Sequence, residues 1–174
     1  MPIVRGKDIE VLYSASAIAR RNLELAKEIA SRDYHDLLVI SVLKGSFIFL
    51  SDLVREITRP LQVDFLVASS YGSGTTSSGV LTLLYDPNAE FKDRHVIVVE
   101  DIVDSGTTLN RLMPMLKQRG PRSLEICTLL HKHLAADLVC EPRWVGFDAP
   151  HEFLIGYGLD HSEDYRNLPF IGSL

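Results

Sequence analysis

Residues 96–108 read VIVVEDIVDSGTT. The four apolar residues Val96-Ile97-Val98-Val99 predict a strand in a sheet interior, covered on both faces. Glu100 and Asp101 then stand at its carboxyl end, and open α/β sheets bind ligands in the crevice at those ends. A Glu-Asp pair there offers acceptors for vicinal hydroxyls or for a hydrated cation. Asp104-Ser105-Gly106-Thr107-Thr108 leads into a helix near 107–119. Free N–H groups at a helix start, together with Ser and Thr hydroxyls and a permissive glycine, make a phosphate cradle. Taken alone, DSGTT suits equally an N-cap turn in which Asp104 or Ser105 satisfies orphan amides. Two acids stacked against the turn favour the ligand site.

Outward from this stretch, strand and helix patterns alternate, which predicts an α/β fold with a central, mainly parallel sheet flanked by helices. Residues 14–32 have helical spacing, with Ser14 or Ser16 as N-cap. LLVISVL (37–43) reads as a buried strand, and SFIFLSDLVREITR (46–59) as a helix stopped by Pro60. LQVDFLVASSY (61–71) is a strand and VLTLLYD (80–86) a returning antiparallel one, separated by GSGTTSSG (72–79). SLEICTLL (123–130) is a further strand, with short strand-like pieces at 143–147 and 152–158. There is no internal repeat and no linker, so residues 1–174 form one domain.

Composition narrows the partners. Eighteen basic against twenty-three acidic residues leave a net charge of −5, which argues against a non-specific nucleic-acid binder. Apolar runs never exceed four residues, so no bilayer span is expected, and the N-terminus lacks the pattern of a secretory signal. Cys127 and Cys140, with no second pair, fit neither a zinc site nor a disulfide framework. A cytoplasmic protein is the simplest expectation. GSGTTS lacks the third glycine of a dinucleotide fingerprint, no P-loop occurs, and the six histidines show no metal-ligand spacing.

The 96–108 block resembles the phosphoribosyl pyrophosphate motif of type I phosphoribosyltransferases. LKGS (43–46), SSYG (69–72) and the tail WVGF…FLIGYGLD…YRNLP (144–169) resemble the 6-oxopurine branch, the hypoxanthine(-guanine) family of short bacterial type, in the family's order. The resemblance implies a core over about 35–140, a small hood built from the N-terminal residues and about 141–174, and a flexible active-site loop. It also implies purine salvage: transfer of the phosphoribosyl group to N9 of hypoxanthine or guanine, with Mg²⁺ as cofactor and a homodimer or homotetramer as assembly. On the matching positions, Glu100 and Asp101 hold the ribose hydroxyls, and 104–108 clamp the 5′-phosphate. Lys44, Gly45 and Arg166 meet pyrophosphate, as do Ser70 and Tyr71 of the loop, and the bond before Lys44 can be cis in the family. Asp104 is the acid or base near purine N7. Lys132 bonds the 6-oxo group, Phe153 stacks on the base, Leu154 contacts it through its backbone, and Asp160 also lies at the purine end. Glu100, Asp101 and Asp160 serve the metal. By pattern alone, Lys44 and Lys132 read as solvated, Phe153 and Leu154 as core, and Asp160 and Arg166 as surface. Guanine or xanthine preference stays open. A regulator of this fold that binds nucleic acid is the alternative, and it requires a basic face.

Overall fold

The computed structural model describes residues 3–4, 6–69, 81–134 and 137–174. Ser70, Tyr71 and the 72–79 stretch lie outside them. The elements are β1 (Ile3–Val4), β2 (Lys7–Asp8), β3 (Glu10–Tyr13), α1 (Ala15–Ala30), β4 (Leu37–Leu43), α2 (Phe47–Glu56), β5 (Leu61–Ser69), β6 (Thr82–Tyr85), β7 (His95–Val103), α3 (Thr107–Lys117), β8 (Ser123–His131), β9 (Trp144–Asp148), β10 (Leu154–Ile155) and β11 (Ile171–Ser173).

The main sheet has six strands in the order β6-β5-β4-β7-β8-β9, all parallel except β6. Side-chain alternation sends Leu37 and Val39 of β4, with Ile97 and Val99 of β7, to one face, where α1 and α2 contribute Ile18, Leu25, Ile29, Phe49 and Leu53. Leu38, Ile40 and Val42, with Val96 and Val98, face α3 through Leu109, Leu112, Met113 and Leu116. Both faces of β4 and β7 are therefore covered, which is why their sequences are continuous apolar runs rather than alternating ones.

Local rules set most boundaries. The Ser14 side chain accepts from the Ala17 amide at 3.2 Å and caps α1. Helix α2 ends at Glu56, short of the expected Arg59, because Ile57 turns extended (φ −77, ψ 114) and buries its side chain. Strand β7 runs to Val103, two residues beyond the expected end, held by β8 as far as the Val103–His131 pair.

A smaller sheet, β10-β11-β3, joins the two chain ends. Residues 144–148, expected in the hood, instead extend the main sheet as β9, where parallel pairing covers the otherwise open edge of β8. The expected strand 152–158 shrinks to Leu154–Ile155, because Gly156, Tyr157 and Gly158 take positive φ (93, 51 and 102) and turn the chain back. The Tyr157 hydroxyl accepts from the Asn22 amide at 2.8 Å and donates to Asp52 at 2.6 Å, tying this tail to α1 and α2. Burial, and the hydrogen bond to Asp52, push that phenol well above its usual range.

Replacing Tyr157 by Phe strips the buried Asn22 amide of its acceptor. The expected cost is about 1–3 kcal/mol, seen as a lower denaturant midpoint with an unchanged slope.

Candidate active site

From β4 the chain passes through α2 to β5 on one side, and from β7 through α3 to β8 on the other. The connections diverge between β4 and β7, so a crevice opens at the carboxyl ends of these two strands. A cleft of about 410 Å³ lies there, lined by Leu43–Gly45, Glu100–Thr108, Asp160, Glu163 and Arg166. Lys44 and Gly45, Glu100 and Asp101, the whole Asp104–Thr108 turn, Asp160 and Arg166 thus converge in space although they are far apart in sequence.

Close backbone approach fixes the floor. A Cβ on Gly45 would stand 1.6 Å from the Asp101 Oδ2 atom, and one on Gly158 would stand 2.0 Å from the Gly45 carbonyl oxygen. The chain tail, the β4 loop and the β7 acid are therefore tightly stacked: a side chain at Gly158 would meet backbone, and one at Gly45 would displace the Asp101 carboxylate. The Leu43–Lys44 peptide is cis.

Glu100 is almost completely buried, and burial together with the Asp101 charge raises its carboxyl well above the usual carboxylate range; the Asp101 amide offsets part of this. Burial raises Asp101 as well, against hydrogen bonding from the Ile102 amide (2.8 Å) and attraction from Arg166. Carboxylate oxygens are hard ligands, the kind of set that a divalent cation with retained waters satisfies, and burial leaves them poorly solvated without one. Among the described residues, no group of three acidic, histidine or cysteine side chains could hold a metal ion, so Glu100, Asp101 and Asp160 do not form a closed cage.

Gly106 caps α3 with φ +73, and the Ser105 and Thr107 hydroxyls lie 3.0 Å apart, next to the first turn of the helix. The amides of a first helical turn have no partner inside the helix, so they and the hydroxyls face the cleft as donors.

The cations come already paired. Arg166 donates to the Gly158 carbonyl (2.8 Å) and to Asp160 (2.8 Å), and Lys44 meets both oxygens of Glu163 at 3.2 Å. Lys132, its side chain only 9% exposed, reaches Asp104 at 3.4 Å, and its amide bonds the Val103 carbonyl at 2.9 Å. Lys132, Phe153 and Leu154 are not among the residues lining the cleft. Lys132 borders it through Asp104, while Phe153 is 55% exposed with its ring edge-to-face on His161 at 5.3 Å. The Leu154 side chain is buried in the core, leaving only its backbone for any ligand.

Glu163 was not among the expected residues, although it lines the cleft and bridges Lys44 and Arg166. Its one sequence signal is a carboxylate three positions before Arg166, which is commonplace.

The family model for the phosphoribosyl transferase domain matches residues 8–162. The chain belongs to the phosphoribosyltransferase family. It is 47% identical over 171 residues to the hypoxanthine-guanine phosphoribosyltransferase of Mycobacterium avium, covering 94% of this chain and 84% of the relative. It is 38% identical over 170 residues to the hypoxanthine phosphoribosyltransferase of Haemophilus influenzae, covering 95% of both. The crystal structure of a hypoxanthine-guanine phosphoribosyltransferase from Bacillus anthracis superimposes with a TM-score of 0.89 at 42% identity, over 96% of this chain and 99% of that one.

In this phosphoribosyltransferase the raised carboxyl of Glu100 has a stability consequence. The folded state holds the Glu100 proton more tightly than the unfolded state, so stability falls as pH rises from the ordinary glutamate range through the raised value. Glu100→Gln is therefore expected to raise the ligand-free melting temperature at pH 7, and to lose that advantage near pH 4. Each kcal/mol gained appears as about 2–4 °C in a thermal scan of a chain this size.

Proposed function

We propose that this phosphoribosyltransferase works in purine salvage, transferring the 5-phosphoribosyl group from phosphoribosyl pyrophosphate to N9 of hypoxanthine or guanine. The observation that carries this reading is the Lys132–Asp104 pair, 3.4 Å apart at the edge of the phosphate cradle. A 6-oxopurine presents N7 and O6 side by side on one edge. Lys132 would donate to O6 and Asp104 would face N7, whereas the 6-amino group of adenine would turn a donor toward the lysine.

In the reaction, N9 attacks C1 of the ribose with inversion, the C1–oxygen bond to pyrophosphate breaks, and the N7 proton passes to the Asp104 carboxylate. Residues 104–108 hold the 5′-phosphate through amides and hydroxyls, and Glu100 and Asp101 orient the ribose hydroxyls. Holding both substrates in line is worth up to about 7–11 kcal/mol when the geometry is good. Lys44 and Arg166 neutralise the charge that collects on the leaving pyrophosphate. Glu100, Asp101 and Asp160 would hold Mg²⁺, with waters and substrate oxygens completing its shell; its chemistry is to neutralise leaving-group charge. Phe153 would stack on the base, Leu154 would present its backbone to it, and Ser70 and Tyr71 would meet pyrophosphate. The reading places the reaction in the cytoplasm, with the enzyme as a homodimer or homotetramer.

Purified protein incubated with phosphoribosyl pyrophosphate, Mg²⁺ and each purine base should form nucleotide from hypoxanthine or guanine and not from adenine. No product with any 6-oxopurine would overturn the reading. Asp104→Asn should lower turnover by about 10²–10⁴ while phosphoribosyl pyrophosphate still binds. Near-normal turnover in that variant would remove the proton-transfer role and leave the phosphate cradle intact.

A further inference from the structure

Glu163 lies on the cleft wall with its carboxylate between the two cations assigned to pyrophosphate. Both of its oxygens stand 3.2 Å from the Lys44 ammonium, and one stands 3.4 Å from the Arg166 guanidinium. Its own amide donates to Asp160 at 2.9 Å, so a backbone with positive φ (65) is held in place and directs the side chain into the cleft. Asp160 takes a second position on Arg166 at 2.8 Å. The two cations thus meet a pair of carboxylate oxygens in the same manner as they would meet two oxygens of a diphosphate, since both anions are planar or tetrahedral oxygen clusters accepting charge-assisted hydrogen bonds.

We infer that Glu163 is an internal competitor for pyrophosphate: its carboxylate occupies Lys44 and Arg166 in the ligand-free enzyme and must leave them when a diphosphate binds. This rests on the assignment of Lys44 and Arg166 to pyrophosphate. Diphosphate affinity is then set by a difference, the new contacts minus those surrendered by Glu163. The same carboxylate re-forms its pairs as the product departs and so favours release. Lys44 and Glu163 are each 67% exposed, so the surrendered contacts are screened and the competition is modest. Among the described residues, Glu163 bonds Lys44, Arg166 and Asp160 and none of 104–108, so the effect is confined to the diphosphate end.

The test is calorimetric titration of the full chain with sodium pyrophosphate at fixed Mg²⁺, and separately with ribose 5-phosphate. Glu163→Gln keeps the size and removes the charge; it is expected to bind pyrophosphate about two- to fivefold more tightly, with ribose 5-phosphate affinity unchanged. Glu163→Asp, which retains the charge, should return affinity toward the parent value. A gain that vanishes in high salt supports the same origin. Unchanged or weaker pyrophosphate binding by Glu163→Gln, while Lys44→Gln and Arg166→Gln still weaken it, overturns the competition and leaves the pyrophosphate assignment standing. Unchanged binding in all three variants overturns both. An equal gain for ribose 5-phosphate also overturns the inference, because it would show a general charge effect and not competition at one end of the site.

Discussion

A strand covered on both faces cannot carry charge along its length, and β7 is such a strand from Val96 to Val99. Its acids come only after that run, where Glu100 and Asp101 meet the crevice shortly before the strand ends at Val103. The strand order then leaves that end facing the turn after β4, because β4 and β7 are neighbours whose connections diverge. Asp101, Gly45 and Gly158 stack so closely that a side chain at Gly158 would meet the Gly45 backbone and one at Gly45 would displace the Asp101 carboxylate. The cleft inherits its shape from that stack, and its charge from acids that burial keeps poorly solvated.

An acidic chain that handles anions must concentrate its donors. Here backbone amides and hydroxyls of the turn into α3 supply several without any net charge. The cations assigned to ligand each have a carboxylate partner in the ligand-free state: Lys44 with Glu163, Arg166 with Asp160 and Glu163, Lys132 with Asp104. No cation of this group faces the cleft without a carboxylate beside it. Under the proposed function, a substrate with its own hydroxyls and phosphates would exchange these internal pairs for contacts of its own.

The tail after β9 is tied both to the helices and to the cleft floor. Tyr157 hydrogen-bonds Asn22 and Asp52 on the helices, and the next residue, Gly158, rests on the β4 loop. Arg166 returns to the Gly158 carbonyl at 2.8 Å. The same tail carries Asp160, Glu163 and Arg166, so these contacts position that wall of the cleft.

Periodicity and punctuation in the sequence were enough for the strands from Leu37 to His131, the three helices, and the motif from Glu100 to Thr108. These depend on neighbours within a few residues: apolar runs, an N-cap serine, a glycine before a helix. They were not enough to end α2 at Glu56, where core burial of Ile57 overrides the local pattern, or to place Trp144–Asp148 in the main sheet. Nor could they reveal Glu163, since its pairing with Arg166 three positions on is commonplace and its other cation, Lys44, lies 119 residues away in the chain, a separation that spacing does not record. The sequence by itself determined that a buried apolar run leads into two acids and then through a glycine turn with hydroxyls into a helix, because those are local demands on the backbone. Only the tertiary structure decided which cations face which carboxylates, because strand order and glycine-tight stacking bring distant segments within a few ångströms.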